Sequence, residues 1–526
     1  MAEGVRLRRI ADPVVAAPPA GARVRTRIHV TAADAAALTT IGDLLGSLYR
    51  EELAERIDRG VLDHDGRAAW RGERKRVITA VSSSRWAGAI TRAVEDQYQL
   101  GMRGLASRAA NLRAAIDVLE QRCALRTGQV MAVDRDDASK PRRSRRWQGY
   151  RSKAERFAKT RRLAALRARL VRVEAALAAG HPSMVMGGKR LWRNRNNLGA
   201  ASMTEQQWRQ RWNTSRMFFT ADGESGKPGG NETVRVDAEG RLRIKTPAAL
   251  VGQLGTHVVI AAPVRFSHRG AEWAARVEAR RAVRYDLSYD SQRERWFLDA
   301  SWTIVPDPPT GLNELQAGRG LGVDLNADHL ACCVLDASGN PIGEPTTIQV
   351  STAGLPAMRR DGRVRAAITC LLDRAQDSGC SAVVVENLDF TDARAKGRET
   401  LGRGQRGKRL RRRIANIPTR RFRDRLIGMA ARRGIAVIGV DAAYTSRWGA
   451  QHWRKPLQQQ TSDSVTRHHG AAVAIGRRGL GLAIRRRPAG PRNGQRTAAG
   501  TPPARPGRRR IHGARQSGSG PPTHPP

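Results

Sequence analysis

The sequence predicts a multidomain chain of mixed α+β and α/β class, with a helical lobe, a small β-barrel and a C-terminal α/β domain. Three observations predict it. From Ala32 to about His181, apolar residues recur at three- and four-residue intervals, the period of a helix face. Between Gly187 and Ser301, aromatic and aliphatic residues alternate with polar ones, the period of a half-buried strand. Beyond Gly318, apolar runs repeatedly carry or end in a carboxylate.

Residues 1–22 are rich in Pro and Ala and are expected to be disordered, with a short strand at 24–30. Leu38, Ile41, Leu45 and Leu48 mark a first helix. Leu105, Leu112, Ile116 and Leu119, then Leu163, Leu166, Leu170, Val173 and Leu177, extend the helical lobe. Between these two runs, Arg142, Arg143, Arg145 and Arg146 adjoin Trp147. That grouping suits phosphates and a stacked base, or is a solvated charge run.

Trp192, Trp208, Trp212, Phe218 and Phe219 open the aromatic part of the chain. Residues 284–289 and 296–302 flank a turn and read as an antiparallel hairpin, hence the barrel. Residues 306–319, rich in Pro and Gly, read as a linker.

The run from Gly318 to Asp336 reads as two strands of a hairpin, with Asp324 in the middle of the first. A carboxylate on a buried strand is costly unless it is paired or holds a cation. Val383, Val384 and Val385 run directly into Glu386, and a third strand at 434–440 ends at Asp441. After it come Tyr444, Thr445 and Ser446 and a helix-like segment at 463–479. Strands that deliver carboxylates to one sheet edge can build a magnesium site for phosphodiester cleavage. Beside the Glu386 strand lies a band of cations, Arg406, Lys408, Arg409, Arg411, Arg412 and Arg413, suited to holding a nucleic-acid strand. The tail at 483–526 lacks large apolar residues and is expected to be disordered.

The formal charge is +46, from 94 Lys and Arg against 48 Asp and Glu, which suits a long polyphosphate partner. The five cysteines form no CxxC pair and read as reduced thiols. No apolar run would span a bilayer and no signal peptide is evident, so a soluble intracellular protein is expected.

Gly322-Val323-Asp324-Leu325-Asn326, Val385-Glu386-Asn387-Leu388 and Val440-Asp441-Ala442-Ala443-Tyr444-Thr445-Ser446 resemble the three blocks of the split RuvC nuclease in the transposon-encoded TnpB (OrfB) family. These proteins are compact relatives of type V CRISPR effectors. The order and spacing of the blocks fit, and Ile417, Phe422, Leu426, Ala430 and Gly434 match the family's connecting helix.

The resemblance implies an RNase H-like (RuvC) α/β nuclease domain at 320–482. It also implies a wedge-like β-barrel formed by 23–30 and 182–305, with a helical recognition lobe at 31–181 inserted into it. The expected function is that of a transposon-associated, RNA-guided DNA endonuclease, with DNA and a guide RNA as partners, no membrane, and a bacterial cytoplasmic, nucleoid-associated location. Its cofactor would be Mg2+ or Mn2+. In a two-metal scheme with ions about 4 Å apart, Asp324 would bridge both and Glu386 would hold one.

The third position departs from the family pattern. His468 stands where family members place an Asp, so either His468 completes the metal set, or Asp463 or Asp441 does, or the site has decayed. The family's four-cysteine zinc ribbon has no counterpart here, so no structural zinc is expected, and Trp448, Trp453 and Arg454 become candidates for strand contacts. Two alternatives stay open: a catalytically impaired RNA-guided DNA-binding protein, and a guide-independent RuvC-fold DNA nuclease. The oligomeric state is left open.

Overall fold

The computed structural model describes residues 10–133, 145–237, 239–305, 308, 310–352, 354–387, 419–461 and 464–484. Near the start, β1 (Val14–Val15) stands in the stretch expected to be disordered, and β2 (Gly21–Ile28) overlaps the strand expected at 24–30, beginning three residues earlier. Alternation explains β2: Ala22, Val24 and Ile28 are buried, while Arg23, Arg25 and Arg27 face outward.

A reciprocal capping box starts α1 (Ala32–Asp58), the Thr31 hydroxyl accepting from the Asp34 amide and Asp34 accepting from the Thr31 amide. Asp63 and Ser83 cap α2 (His64–Thr79) and α3 (Ser84–Ala124) through their side chains. A two-stranded hairpin, β3 (Val130–Val133) with β4 (Arg145–Gln148), leads into α4 (Lys153–Ala179). This helix lies along α3, with Ile116 and Leu119 against Leu163, and Leu112 against Val173. It stops at Gly180, whose φ of 72° favours glycine.

The tryptophans expected in strands sit instead on two short helices, α5 (Lys189–Asn194) and α6 (Glu205–Thr214). Trp212 lies 5.4 Å from Trp192 and 5.6 Å from Trp208, so the indoles pack on one another rather than on a sheet. Next come β5 (Thr220–Ala221), β6 (Val234–Val236), β7 (Leu242–Lys245), α7 (Val251–Leu254), β8 (His257–Ile260), α8 (Gly270–Glu278), β9 (Arg284–Asp290) and β10 (Arg295–Thr303).

Their pairings give a four-stranded sheet, β2-β10-β9-β5, and a three-stranded sheet, β6-β7-β8. The pairings among the described residues do not close into a barrel. β2 pairs with β10 from Ile28 opposite Trp296 to Gly21 opposite Thr303, so α1 to α4 fall in sequence between two strands of one sheet. Both sheets share a core with α1 and α3, in which Leu38, Ile41, Leu45 and Trp86 join Ile244, Tyr285 and Leu298.

The stretch read as a linker contains a short helix, α9 (Leu312–Gln316), anchored by buried Leu315. The remaining elements are β11 (Arg319–Leu325), β12 (His329–Leu335), β13 (Pro341–Gln349), α10 (Ala357–Asp377), β14 (Cys380–Glu386), α11 (Thr419–Ala431), β15 (Ala436–Val440), α12 (Thr445–His452), α13 (Arg454–Gln460) and α14 (Arg467–Gly479). They build a six-stranded sheet of order β1-β15-β14-β11-β12-β13. β11, β12 and β13 form an antiparallel meander, β14 and β15 run parallel to β11, and β1 closes the edge antiparallel to β15.

Helices cover both faces of this sheet, which is why its central strands are apolar over most of their length, up to the carboxylates at their C-terminal ends. On one side Leu321, Val323, Val383 and Val385 meet Ile368 and Leu371 of α10 and Phe422 and Leu426 of α11. On the other, Ala382, Val384 and Ile438 meet Ile475 of α14. Among the described residues, no helix is long and apolar enough to cross a membrane.

Candidate active site

The parallel register decides which side chains meet. Val323 lies opposite Val385, and Glu386 lies opposite Val440. Asp324, Glu386 and Asp441 therefore stand in a row at the C-terminal ends of β11, β14 and β15, the end of a parallel sheet where ligand sites gather.

Glycines set α14 over this row. A Cβ on Gly322 would come within 2.1 Å of the Ala472 carbonyl oxygen, and one on Gly449 within 2.4 Å of the Gly470 carbonyl oxygen. With only hydrogen at both positions, α14 lies directly on β11 and α12, and its first turn reaches Asp324.

Asp324 is 5% exposed. Its Oδ2 accepts from His468 Nδ1 at 2.8 Å and from Asn326 Nδ2 at 3.0 Å. A carboxylate only accepts, so His468 carries its proton on Nδ1, and in the neutral ring Nε2 holds the lone pair. Arg467 Nε lies 3.4 Å from that Nε2. The His329 ring meets the His468 ring edge-on at 5.1 Å.

Glu386 Oε1 is bonded to the Thr445 hydroxyl, which also reaches the Ala442 carbonyl at 3.0 Å. Thr445 is fully buried, and Tyr444 before it adopts a left-handed φ of 64° that turns the chain from β15 into α12. Burial pushes the Glu386 carboxyl up to about 7. The Asp324 and Asp441 carboxylates add to that rise, while Thr445 and Arg478 oppose it.

Asp324 Oδ1 and Glu386 Oε2 accept no hydrogen bond among the described residues. Two such carboxylates on adjoining strands fit a hard divalent cation, since Mg2+ takes one or two carboxylates and completes its shell with water and phosphate oxygen. Among the described residues, however, no group of three His, Cys, Asp or Glu side chains could hold an ion. His468 lies beside Asp324 as its hydrogen-bond partner.

No protein-family model matches this chain, and no curated protein matches it. A solved structure similar to part of it is T. thermophilus RuvC in complex with a Holliday junction substrate. That chain is 17% identical, with 31% of this chain and 91% of the other covered, at a TM-score of 0.22. A likeness this slight establishes neither fold nor activity.

Asp441, the alternative ligand, accepts from the Ala443 amide at 2.9 Å through Oδ1 and from the Ala11 amide at 3.2 Å through Oδ2. Its carboxylate ties the N-terminal segment to the strand end. Asp463, the other alternative, lies outside the described residues, as do Arg142, Arg143, Arg406, Lys408, Arg409, Arg411, Arg412 and Arg413. Arg145 and Arg146 fall on β4, in the hairpin between α3 and α4.

Trp448 and Trp453, candidates for strand contacts, are instead 8% and 6% exposed. Trp448 stacks on Tyr444, and Trp453 donates from Nε1 to the Ile484 carbonyl at 2.7 Å. Both belong to the packing of α12 and α14.

Two contributors have no distinct signal in the sequence. Thr445 is visible there only as part of a motif, with no role attached. Arg478, 7% exposed, donates to the carbonyls of Asp441 and Ala443, the second at 2.8 Å, and brings a positive charge to the acid row. His469, next to His468, is a structural residue. It accepts from the Thr466 amide at 3.0 Å, contacts the Thr347 hydroxyl at 2.9 Å, and burial holds its pKa below the usual histidine range.

Proposed function

We propose that this chain is a divalent-metal-dependent DNA endonuclease with an RNase H-like domain, and that it works as a TnpB-like, RNA-guided enzyme associated with a transposon. One observation carries the nuclease reading: the parallel register of β11, β14 and β15 sets Asp324 and Glu386 on adjoining strand ends, each with a carboxylate oxygen that no described residue bonds. The strand order, an antiparallel meander followed by two parallel strands, supports the RNase H-like assignment.

The guide RNA, the target DNA and the transposon association rest on the three sequence blocks around Asp324, Glu386 and Asp441 and on the +46 charge. On this reading, the part of the chain built on β2 and β5 to β10, with α1 to α4 inserted, binds the nucleic acids. The six-stranded sheet cuts.

Asp324 and Glu386 would hold the cation. A bound divalent ion would polarise the scissile phosphodiester and activate water. His468 Nε2, with Nδ1–H fixed on Asp324, takes or gives a proton beside the phosphate. Arg478 offsets part of the acid row's negative charge and holds the turn after β15, which sets Thr445 against Glu386.

A second reading, guided binding without cleavage, draws support from one feature. His468 spends Nδ1 on Asp324, and no third ligand joins the pair among the described residues.

One experiment separates the readings. The protein is expressed with its flanking DNA, co-purifying RNA is sequenced, and the complex is assayed for Mn2+- or Mg2+-dependent cleavage, with Asp324→Ala alongside. Defined RNA with cleavage lost in Asp324→Ala supports the first reading. RNA without cleavage supports the second, and cleavage without RNA points to a guide-independent nuclease.

A further inference from the structure

Away from the acid row, a cleft of about 710 Å³ opens between the four-stranded sheet and the helices α10 and α11. Its size is that of a ligand site, and its lining is strongly cationic. β2 supplies Arg23, the turn before α8 supplies His268 and Arg269, α10 supplies Arg365, and α11 and the turn after it supply Arg425 and Arg432.

These charges are unevenly compensated. Arg23 pairs with Asp299 at 3.2 Å and Arg269 with Glu272 at 2.6 Å. Arg365 and Arg425 share one carboxylate, Asp361, at 3.3 and 2.7 Å. Asp424 also lines the cleft.

Arg432 has no carboxylate partner among the described residues. Its Nη1 donates instead to His268 Nε2 at 2.6 Å. A guanidinium can only donate, so Nε2 must accept, and the His268 proton is held on Nδ1. That N–H has no partner among the described residues.

Partial burial, followed by the charges of Arg432, Arg269 and Arg365, holds His268 below the usual histidine range. Burial, Arg269 and Arg433 likewise lower Arg432. The cleft therefore gathers like charges and a spare donor in one place, an arrangement that an anion with several acceptor oxygens would relieve.

We propose that this cleft grips a phosphate of a nucleic-acid backbone, through the Arg432 guanidinium and the Nδ1–H of His268, with Arg269 and Arg365 adding charge. The proposal rests on the reading of the chain as a nucleic-acid-binding protein. It adds to that reading a contact remote from the carboxylates, on the side of the sheet that α10 and α11 cover. A backbone is favoured over a small polyphosphate because the cationic lining runs across elements of both parts of the chain and matches the long-polyanion charge of the whole molecule.

The test measures binding of the full chain to labelled single-stranded DNA, and to RNA of the same sequence, across a salt series. Arg432→Gln should lower the slope of log affinity against log salt by about one. Arg432→Lys keeps the charge and should keep the slope. Arg433→Gln is the charge-matched control. Arg433 pairs with Asp373 and neither residue lines the cleft, so this variant should leave the slope unchanged.

Equal slopes for Arg432→Gln and the parent, or an equal fall in Arg433→Gln, would overturn the proposal. So would calorimetric binding of inorganic pyrophosphate that Arg432→Gln abolishes while the slopes stay equal, since the cleft would then be a small-anion site. If the parent binds neither DNA nor RNA, this proposal and the guided reading both fail. If binding and Asp324-dependent cleavage persist with unchanged slopes, only this proposal fails.

Discussion

Glu386 sits where a strand end, the start of α12 and two more carboxylates meet, and its proton is the most informative one in the site. Burial lifts its pKa from 4.5 to about 7. A carboxyl that binds its proton more tightly folded than unfolded stabilises the fold only while protonated. In the metal-free protein, stability should therefore fall as pH rises from about 4.5 to about 7. Urea midpoints across that window measure it, and Glu386→Gln should flatten the dependence. Mn2+ added above pH 7 should raise the midpoint of the parent but not of the Gln variant.

Beside it, His468→Ala removes the side chain held on Asp324 and proposed to carry the proton, and should slow cleavage by about 10² to 10⁴-fold. Cleavage at the parent rate in His468→Ala would restrict that histidine to orienting Asp324. The carboxylates were legible in the sequence because a charge inside an apolar run stands out. Arg478 was not, because one more Arg among 94 cationic residues carries no signal until the fold buries it.

At the scale of elements, the site depends on how closely α14 approaches β11. Gly322→Ala would drive a methyl into the Ala472 carbonyl and lift the helix from the strand. The expected cost is about 1 to 3 kcal/mol, read from chemical denaturation, together with loss of the His468 to Asp324 contact. A variant as stable and as active as the parent would show that α14 can shift without consequence.

Elements with an unambiguous period were readable in advance. The alternation of β2 and β10, the three-and-four spacing of α1 and α4, and the valines of β14 each appear where the residue pattern puts them. Elements defined by long-range partners were not. β1 is two residues long and exists because β15 offers an edge. Trp192, Trp208 and Trp212 form their own stack on α5 and α6, and Trp448 and Trp453 are buried by a helix crossing that depends on Gly449 and Gly470.

For the whole molecule, the excess of 46 positive charges sets the expected behaviour toward nucleic acid. Affinity should fall steeply and linearly, on logarithmic axes, as salt rises, with a slope that counts the phosphates engaged. A flat salt response would contradict a polyanion partner. Charge and composition are legible at this scale without any structure, because they do not depend on how the chain folds. The sharing of one core by β2 and the strands after the helical lobe is a property of the folded chain.

On the proposed reading, Asp324 and Glu386 together support metal-dependent strand cleavage. The most direct test is a cleavage assay of the purified complex with Mn2+, Mg2+ or chelator, run on the parent, Asp324→Ala and Glu386→Gln. Cleavage that needs the divalent ion and disappears in both variants is the predicted result. Cleavage that survives either substitution, or that proceeds unchanged in chelator, would contradict it.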